Sequence, residues 1–332
     1  MSNLKQLPPT RVWTNLFKMT VSRQQYLFPY MNDEAVCLQK PVNVSSIPQR
    51  SPFRYPGGKT WFVPTFRNWL ACRLTKPALL VEPFAGGGII TLTALFENLV
   101  QNVVMVELDE EIAAVWQAVV EGNAEWLAAR IMAFDLTRES LMLELSNSNV
   151  DLKERAFQTI LKNRTSHGGI IAGGSGLLKH GENGKGIRSR WYPQTLARRF
   201  SAIQHYAGRL DFRQTDGLNV IREYADREDV VFFIDPPYTA GGKKAGKRLY
   251  RYSEIDHERL FDLCASLAGD FLMTYDNSDE VKQMARSRGF QMRLIAMTNT
   301  HNATMEELVI GKELSWMDSY PVVHEPDVAY PV

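Results

Sequence analysis

Asp235-Pro236-Pro237-Tyr238 follows five apolar residues, Val230 to Ile234. Proline has no backbone N–H, so a strand built from Val230–Ile234 must stop there. That leaves Asp235 at the carboxyl end of a core strand, the end at which open α/β sheets hold their ligands. The two prolines stiffen the backbone and fix the direction of their carbonyls, and Tyr238 offers a flat face. Two acceptors beside a stacking surface suit an exocyclic amino group on a planar base. The amino hydrogens go to Asp235 and a proline carbonyl, and the ring lies on Tyr238. The competing reading is a proline-capped strand end with a surface tyrosine.

A second constellation is the run VEPFAGGGII, where Phe84, Ala85, Gly86, Gly87 and Gly88 lie between a short apolar strand and a helical pattern. Glycines there let the backbone turn tightly and approach a ligand closely, as at a nucleotide site. The spacing is neither GxGxxG nor a P-loop. Taken alone, the cluster also fits a tight strand-to-helix turn. Glu107 ends the next strand about 20 residues on, where an acid can accept hydrogen bonds from a ribose diol. Asp216 follows the third strand of the alternation. Both also read as ordinary acids at helix starts, Asp216 as an N-cap. Upstream, SPFRYPGGKTWF (51–62) supplies Tyr55 for stacking and Lys59 for a carboxylate or phosphate; its plain alternative is a turn between core aromatics.

The elements that must carry these residues follow from periodicity. Short apolar runs at 78–82, 102–107, 210–214, 229–234 and 270–275 read as strands. Helical patterns lie at 89–99, 109–120, 257–268 and 279–288, with further helical segments up to about residue 161. Such alternation predicts an α/β fold with a largely parallel sheet covered on both faces. Residues 290–298 and 306–312 read as a closing hairpin that adds an antiparallel edge. Residues 163–195 are glycine-rich and break the alternation, so they are expected to form an inserted recognition region. The domain plan is an N-terminal extension (1–50), a core in two parts (51–162 and 196–315) around the insertion, and a tail (316–332). Aromatics in the extension, among them Trp13, Phe17 and Tyr26, suggest packing on the body or on a partner.

Composition narrows the class. With 332 residues, 45% apolar and 23% charged, the chain reads as an ordinary globular protein. A net charge of +1 means that any nucleic-acid affinity comes from local basic patches. Three distant cysteines and six dispersed histidines give neither a disulfide framework nor a metal-ligand spacing, so no metal is expected. No apolar run reaches membrane-spanning length and no signal-peptide pattern is seen, so the expected location is the cytoplasm.

FRYPGGK (53–59), EPFAGGG (82–88) and DPPY (235–238), in that order, resemble the D12 class of N6-adenine DNA methyltransferases, the Dam-like enzymes. The resemblance spans about residues 50–315. It implies a Rossmann-like methyltransferase sheet and the cofactor S-adenosylmethionine, surrounded by Tyr55, Lys59, Phe84–Gly88, Glu107, Asp216 and Asp235. It further implies that Asp235, Pro236, Pro237 and Tyr238 hold a flipped adenine. Double-stranded DNA is the expected partner. Its contacts are expected from Lys179, Arg188, Arg190 and Trp191 in the insertion, from Lys243, Lys244, Lys247 and Arg248 after the DPPY run, and from Asn163 and Arg164. A homodimer through the aromatic extension is a further expectation. Methylation of cytosine N4 or of adenine in RNA, and a non-catalytic DNA-binding regulator, stand as alternatives. A nicotinamide dehydrogenase fits less well, because the glycine spacing is wrong and DPPY would have no purpose.

Overall fold

The apolar runs form a sheet because each one is too short for a helix of its own, and those at 79–82 and 230–234 have a core on both sides. The computed structural model describes residues 36–37, 41–171, 175–237, 255–298 and 304–319. These residues belong to one compact unit, Glu34–Val332. Its strands are β1 (Val36–Cys37), β2 (Leu79–Glu82), β3 (Asn102–Val106), β4 (Leu210–Arg213), β5 (Val230–Ile234), β6 (Asp270–Asp276), β7 (Gln291–Thr298) and β8 (Thr304–Gly311). They line up as β1-β7-β8-β6-β5-β2-β3-β4. From β6 to β4 every pairing is parallel, while β8 runs antiparallel to both β6 and β7. This is the expected Rossmann-like α/β sheet, mostly parallel, with a C-terminal hairpin.

Helices cover both faces. They are α1 (Val63–Ala71), α2 (Ile89–Phe96), α3 (Glu110–Val120), α4 (Ala124–Ala133), α5 (Arg138–Ser146), α6 (Leu152–Thr165), α7 (Pro193–Gln204), α8 (Gly217–Glu223), α9 (His257–Ser266), α10 (Asp279–Ser287) and the short α11 (Trp316–Ser319). Successive side chains of a strand point to opposite faces. Leu80, Val103, Val231 and Phe233 accordingly pack with α1–α4, α6 and α7. Leu79, Val81, Val104, Phe232 and Ile234 pack with α8, α9 and α10. Both faces of β2 and β5 are dry, which is why their sequences read as unbroken apolar runs.

Three features add to the sequence plan. The hairpin does not simply append an antiparallel edge: β8 inserts between β6 and β7, so β7 again runs parallel to the central strands. Two residues of the N-terminal extension, Val36 and Cys37, then pair with Leu294 and Ile295 at the margin beyond β7. Helix α6 runs to Thr165, so position 163 lies in its last turn. Met317, assigned to the tail, is buried in the core with Leu314. The aromatics at 13, 17 and 26 lie outside the described residues.

Candidate active site

The chain leaves β2 for β3 and β4 on one side and later places β5 and β6 on the other. The carboxyl ends of β2 and β5 therefore flank a topological switch point, where an open α/β sheet forms its ligand crevice. Asp235 and the glycine loop both start at that rim.

The loop is shaped by two left-handed glycines, Gly86 (φ 48°) and Gly88 (φ 63°). A Cβ on Gly86 would stand 2.5 Å from the Tyr55 ring, and one on Gly88 would stand 2.6 Å from Met105 Cε. Tyr55 thus lies directly on the loop, and only glycine fits beneath it. The loop is tied to β3 by the Ala85 N–H, which donates to the Val106 carbonyl at 3.0 Å. Trp116 Nε1 donates to the Gly86 carbonyl at 2.9 Å. Ser51 Oγ donates to the Gly87 carbonyl. Glu107, at the end of β3, accepts from the Gly86 N–H at 2.9 Å and from the Asp109 N–H at 2.8 Å, one bond to each carboxylate oxygen.

Two carboxyls at this rim are held toward their neutral forms. Burial pushes Glu107 up to about 7, with the Asp109 carboxylate adding to the effect and the backbone donors opposing it. Burial likewise pushes Glu82, at the end of β2, up to about 8; Asp235 and Glu107 reinforce that shift, while Thr91 works against it through its N–H and hydroxyl. Asp216 caps α8, accepting from the Leu218 N–H at 2.8 Å. Gly217 beside it presses so closely on the loop that a Cβ there would lie 2.3 Å from the Pro83 carbonyl and 3.1 Å from the half-buried Phe84 ring.

On the β5 side, Asp235 is half-buried and Pro236 is buried. Asp235 Oδ1 accepts from Thr274 Oγ1 at 2.8 Å and pairs with Lys59 Nζ at 2.9 Å. Lys59 is buried. Its ammonium also lies 3.4 Å from Glu307 Oε1 and donates to the Gly57 carbonyl at 3.3 Å. Tyr238 lies outside the described residues. Asp235 and Lys59 were each legible in the sequence, but their contact was not. Thr274 and Glu307 were missed. The only signals for them were a hydroxyl in the apolar run FLMTY and an acid inside the strand EELVIGK.

The DNA-contact expectations divide. Asn163 and Arg164 are both buried. Asn163 accepts from the Arg54 N–H at 2.9 Å and donates to the Arg54 and Gly169 carbonyls at 2.9 and 2.7 Å. Arg164 donates to the Pro52 carbonyl, and burial among Arg199, Arg54 and Arg190 lowers its pKa to about 9. These two residues fasten the 51–58 stretch from beneath. Trp191 is half-buried and packs edge-on to Phe134, with centroids 6.3 Å apart. Lys179 is exposed and Arg190 half-buried. Arg188 is exposed, with bonds to the Leu136 carbonyl at 2.6 Å and to Asp135 at 3.1 Å. Lys243, Lys244, Lys247 and Arg248 lie outside the described residues.

Similar solved structures include an rRNA methyltransferase, aviRa, from Streptomyces viridochromogenes (14% identity, 77% of this chain and 85% of that one, TM-score 0.35). An rRNA methylase from Streptococcus thermophilus matches at 12% identity over 75% of this chain and 95% of that one, with a TM-score of 0.32. Precorrin-6y C5,15-methyltransferase from Geobacter metallireducens matches at 10% identity over 75% and 85%, with a TM-score of 0.31. No curated protein matches the sequence. The model of one family, described as D12 class N6 adenine-specific DNA methyltransferase, matches residues 55–300. That match runs from Tyr55 through the glycine loop and Glu107 to Asp235 and β7, well over half of the chain, and the chain belongs to the D12 class of N6 adenine-specific DNA methyltransferases.

Proposed function

We propose that this D12-class methyltransferase holds a flipped adenine of double-stranded DNA at Asp235–Tyr238 and methylates its N6 amino group within one short recognition sequence. The single observation that carries the reading is the juxtaposition at the switch point: Asp235 at the end of β5 faces the same crevice rim as the Gly86–Gly88 loop at the end of β2.

S-adenosylmethionine is the family's cofactor, and the residues present suit it. Gly86 and Gly88 give the loop its tight left-handed turns at the carboxyl end of β2, and Tyr55 supplies an aromatic face over the loop. Glu107 carries a half-buried carboxylate where a ribose diol can donate to it. Phe84, Ala85, Gly87, Asp216 and Lys59 complete the proposed cradle. Bound there, S-adenosylmethionine supplies a methyl group already activated on a sulfonium.

Asp235 and the Pro236 carbonyl then do the remaining work on the base. The adenine amino nitrogen is a weak nucleophile because its lone pair is delocalised into the ring. When both amino hydrogens are accepted, by Asp235 and by the Pro236 carbonyl, the nitrogen is favoured in its tetrahedral form and the lone pair is released. S-adenosylmethionine held by this cradle would supply the methyl group to N6, while Asp235 and the Pro236 carbonyl hold the amino group, and the proton lost from N6 would pass to solvent. In-line positioning supplies much of the rest of the rate. A stacked base cannot be reached, so the target is flipped out. DNA is held by Lys179, Arg188 and Arg190 and by the basic run at 243–248, with the lysines on phosphates and the arginines also able to read guanine edges.

Methylation mapping of DNA from cells expressing the wild type and Asp235→Ala tests the reading. N6-methyladenine at one short motif, lost in the variant, is the expected result. Absence of any mark with well-expressed wild type, or a mark on cytosine N4, overturns it. In purified protein Asp235→Asn is expected to lower the methyl-transfer rate by about a hundredfold or more, with cofactor affinity changed far less. A homodimer and a cytoplasmic location belong to the same reading. Among the described residues no helix is long and apolar enough to cross a membrane. A monomer in light scattering with and without DNA removes the dimer.

A further inference from the structure

Asp235 does not stand alone at its strand end. Four residues far apart in sequence meet there: Lys59 before α1, Asp235 after β5, Thr274 in β6 and Glu307 in β8. The sheet register makes the meeting specific. Ile234 pairs with Met273, so the next rung sets Asp235 opposite Thr274. On the other side of β6, Asp276 pairs with Glu307. Thr274 is fully buried, and Glu307 and Lys59 are less than one-tenth exposed.

We infer that Thr274 and Glu307 are positioning residues for methyl transfer: Thr274 fixes the Asp235 carboxylate directly, and Glu307 does so through Lys59. This rests on the proposed role of Asp235. The Thr274 hydroxyl at 2.8 Å and the Lys59 ammonium at 2.9 Å both engage Oδ1, which sets the rotation of the carboxylate. Lys59 by itself would neutralise Asp235 and weaken it as an acceptor. Glu307, 3.4 Å from the same ammonium, restores the balance. The three charges sum to minus one in a water-poor corner of the sheet, where charge–charge effects are strong. As the N–methyl bond forms, positive charge appears on N6. A preorganised negative group beside it stabilises that change more than it stabilises the ground state. Without Glu307, Lys59 would pair with Asp235 alone, Asp235 would be the weaker acceptor, and that preference would fall.

The test uses near-isosteric variants of the full chain, with single-turnover methyl transfer to an oligonucleotide duplex carrying the mapped site. Thr274→Val and Glu307→Gln are each expected to slow transfer about tenfold or more, the cost of losing a hydrogen bond or charge at an ionised group. Cofactor and duplex Kd values are expected to change less than the rate, since neither Thr274 nor Glu307 itself belongs to the proposed cradle. Thr274→Ser should recover most of the rate lost in Thr274→Val, because the hydroxyl is what matters. Added to Asp235→Asn, either substitution should slow transfer by less than twofold more, because its effect passes through Asp235. Asp235→Asn serves as the reference. If it leaves the rate unchanged, the reading of the site itself fails. If it slows transfer while Thr274→Val and Glu307→Gln stay within twofold of wild type, or slow it additively, the positioning inference alone falls. A loss of Tm and of cofactor affinity in step with the rate also overturns it, as a purely structural role.

Discussion

Glu107 faces two demands at once. Its carboxylate accepts two backbone hydrogen bonds, which favour the charged form, yet burial wins and pushes it up to about 7. A ribose diol needs an acceptor, and the ionised carboxylate accepts best. The folded-state value lies above the ordinary carboxylate range, so the cofactor-free protein holds the proton longer than the unfolded chain does. This contribution to stability is intact at low pH and is lost as pH rises through about 7. With Glu107 in its proposed role at the ribose diol, cofactor binding would shift the group the other way, toward the charged form. Cofactor affinity is therefore expected to tighten as pH rises through about 7, with proton release on binding, in calorimetry across a pH series. Glu107→Gln should bind more weakly and flatten that dependence. A wild-type Kd that does not change with pH would show that Glu107 carries no such role.

At the scale of the element, the glycine loop is a strand-to-helix turn squeezed between Tyr55, Trp116 and Gly217. Its conformation is dictated by space: Gly86 and Gly88 have positive φ and sit under side chains that leave no room for a Cβ. Gly86→Ala adds a methyl group 2.5 Å from the Tyr55 ring as well as backbone strain. The expected cost is about 1–3 kcal/mol in chemical denaturation, with a clear loss of cofactor affinity. Wild-type affinity in Gly86→Ala would mean that the loop and Tyr55 yield without consequence. The same crowding makes the motif readable in sequence, since three consecutive glycines between an apolar strand and an apolar helix leave few backbone solutions.

At the scale of the molecule, the site depends on a clamp that the chain closes over a long sequence distance. Asn163 in α6 holds both the N–H and the carbonyl of Arg54, Arg164 holds the Pro52 carbonyl, and Arg199 in α7 donates to the Ser51 carbonyl at 2.7 Å. Residues 51–54 are thereby fixed above the glycine loop, with Tyr55 and Lys59 following in register. Asn163→Ala removes three hydrogen bonds from a buried position. It is expected to cost about 1–3 kcal/mol of stability and to weaken cofactor binding. The salt dependence of DNA affinity should not change, because no phosphate contact is lost. A fall in duplex affinity with stability and cofactor affinity unchanged would return Asn163 to the DNA interface.

Local chemistry determined much of this protein. The apolar runs of β2, β3, β5 and β6, the acids at helix starts such as Asp109 and Asp216, the glycine loop and the proline stop after Asp235 are each forced by backbone sterics or by burial within a few residues. All of them were readable from the sequence. Tertiary structure decided what those stretches meet. That β8 enters between β6 and β7 follows from how the hairpin docks, and a residue string does not encode which of two strands reaches β6 first. Asn163 and Arg164 lie in a polar stretch with a surface composition, but the turn of α6 carries them inward to backbone groups more than a hundred residues away. Thr274 and Glu307 differ from any strand residue only in their neighbours. Their contact with Asp235 and Lys59 exists because four chain segments pack side by side, and hydrogen bonds and ion pairs depend on distance in space, which sequence separation does not supply.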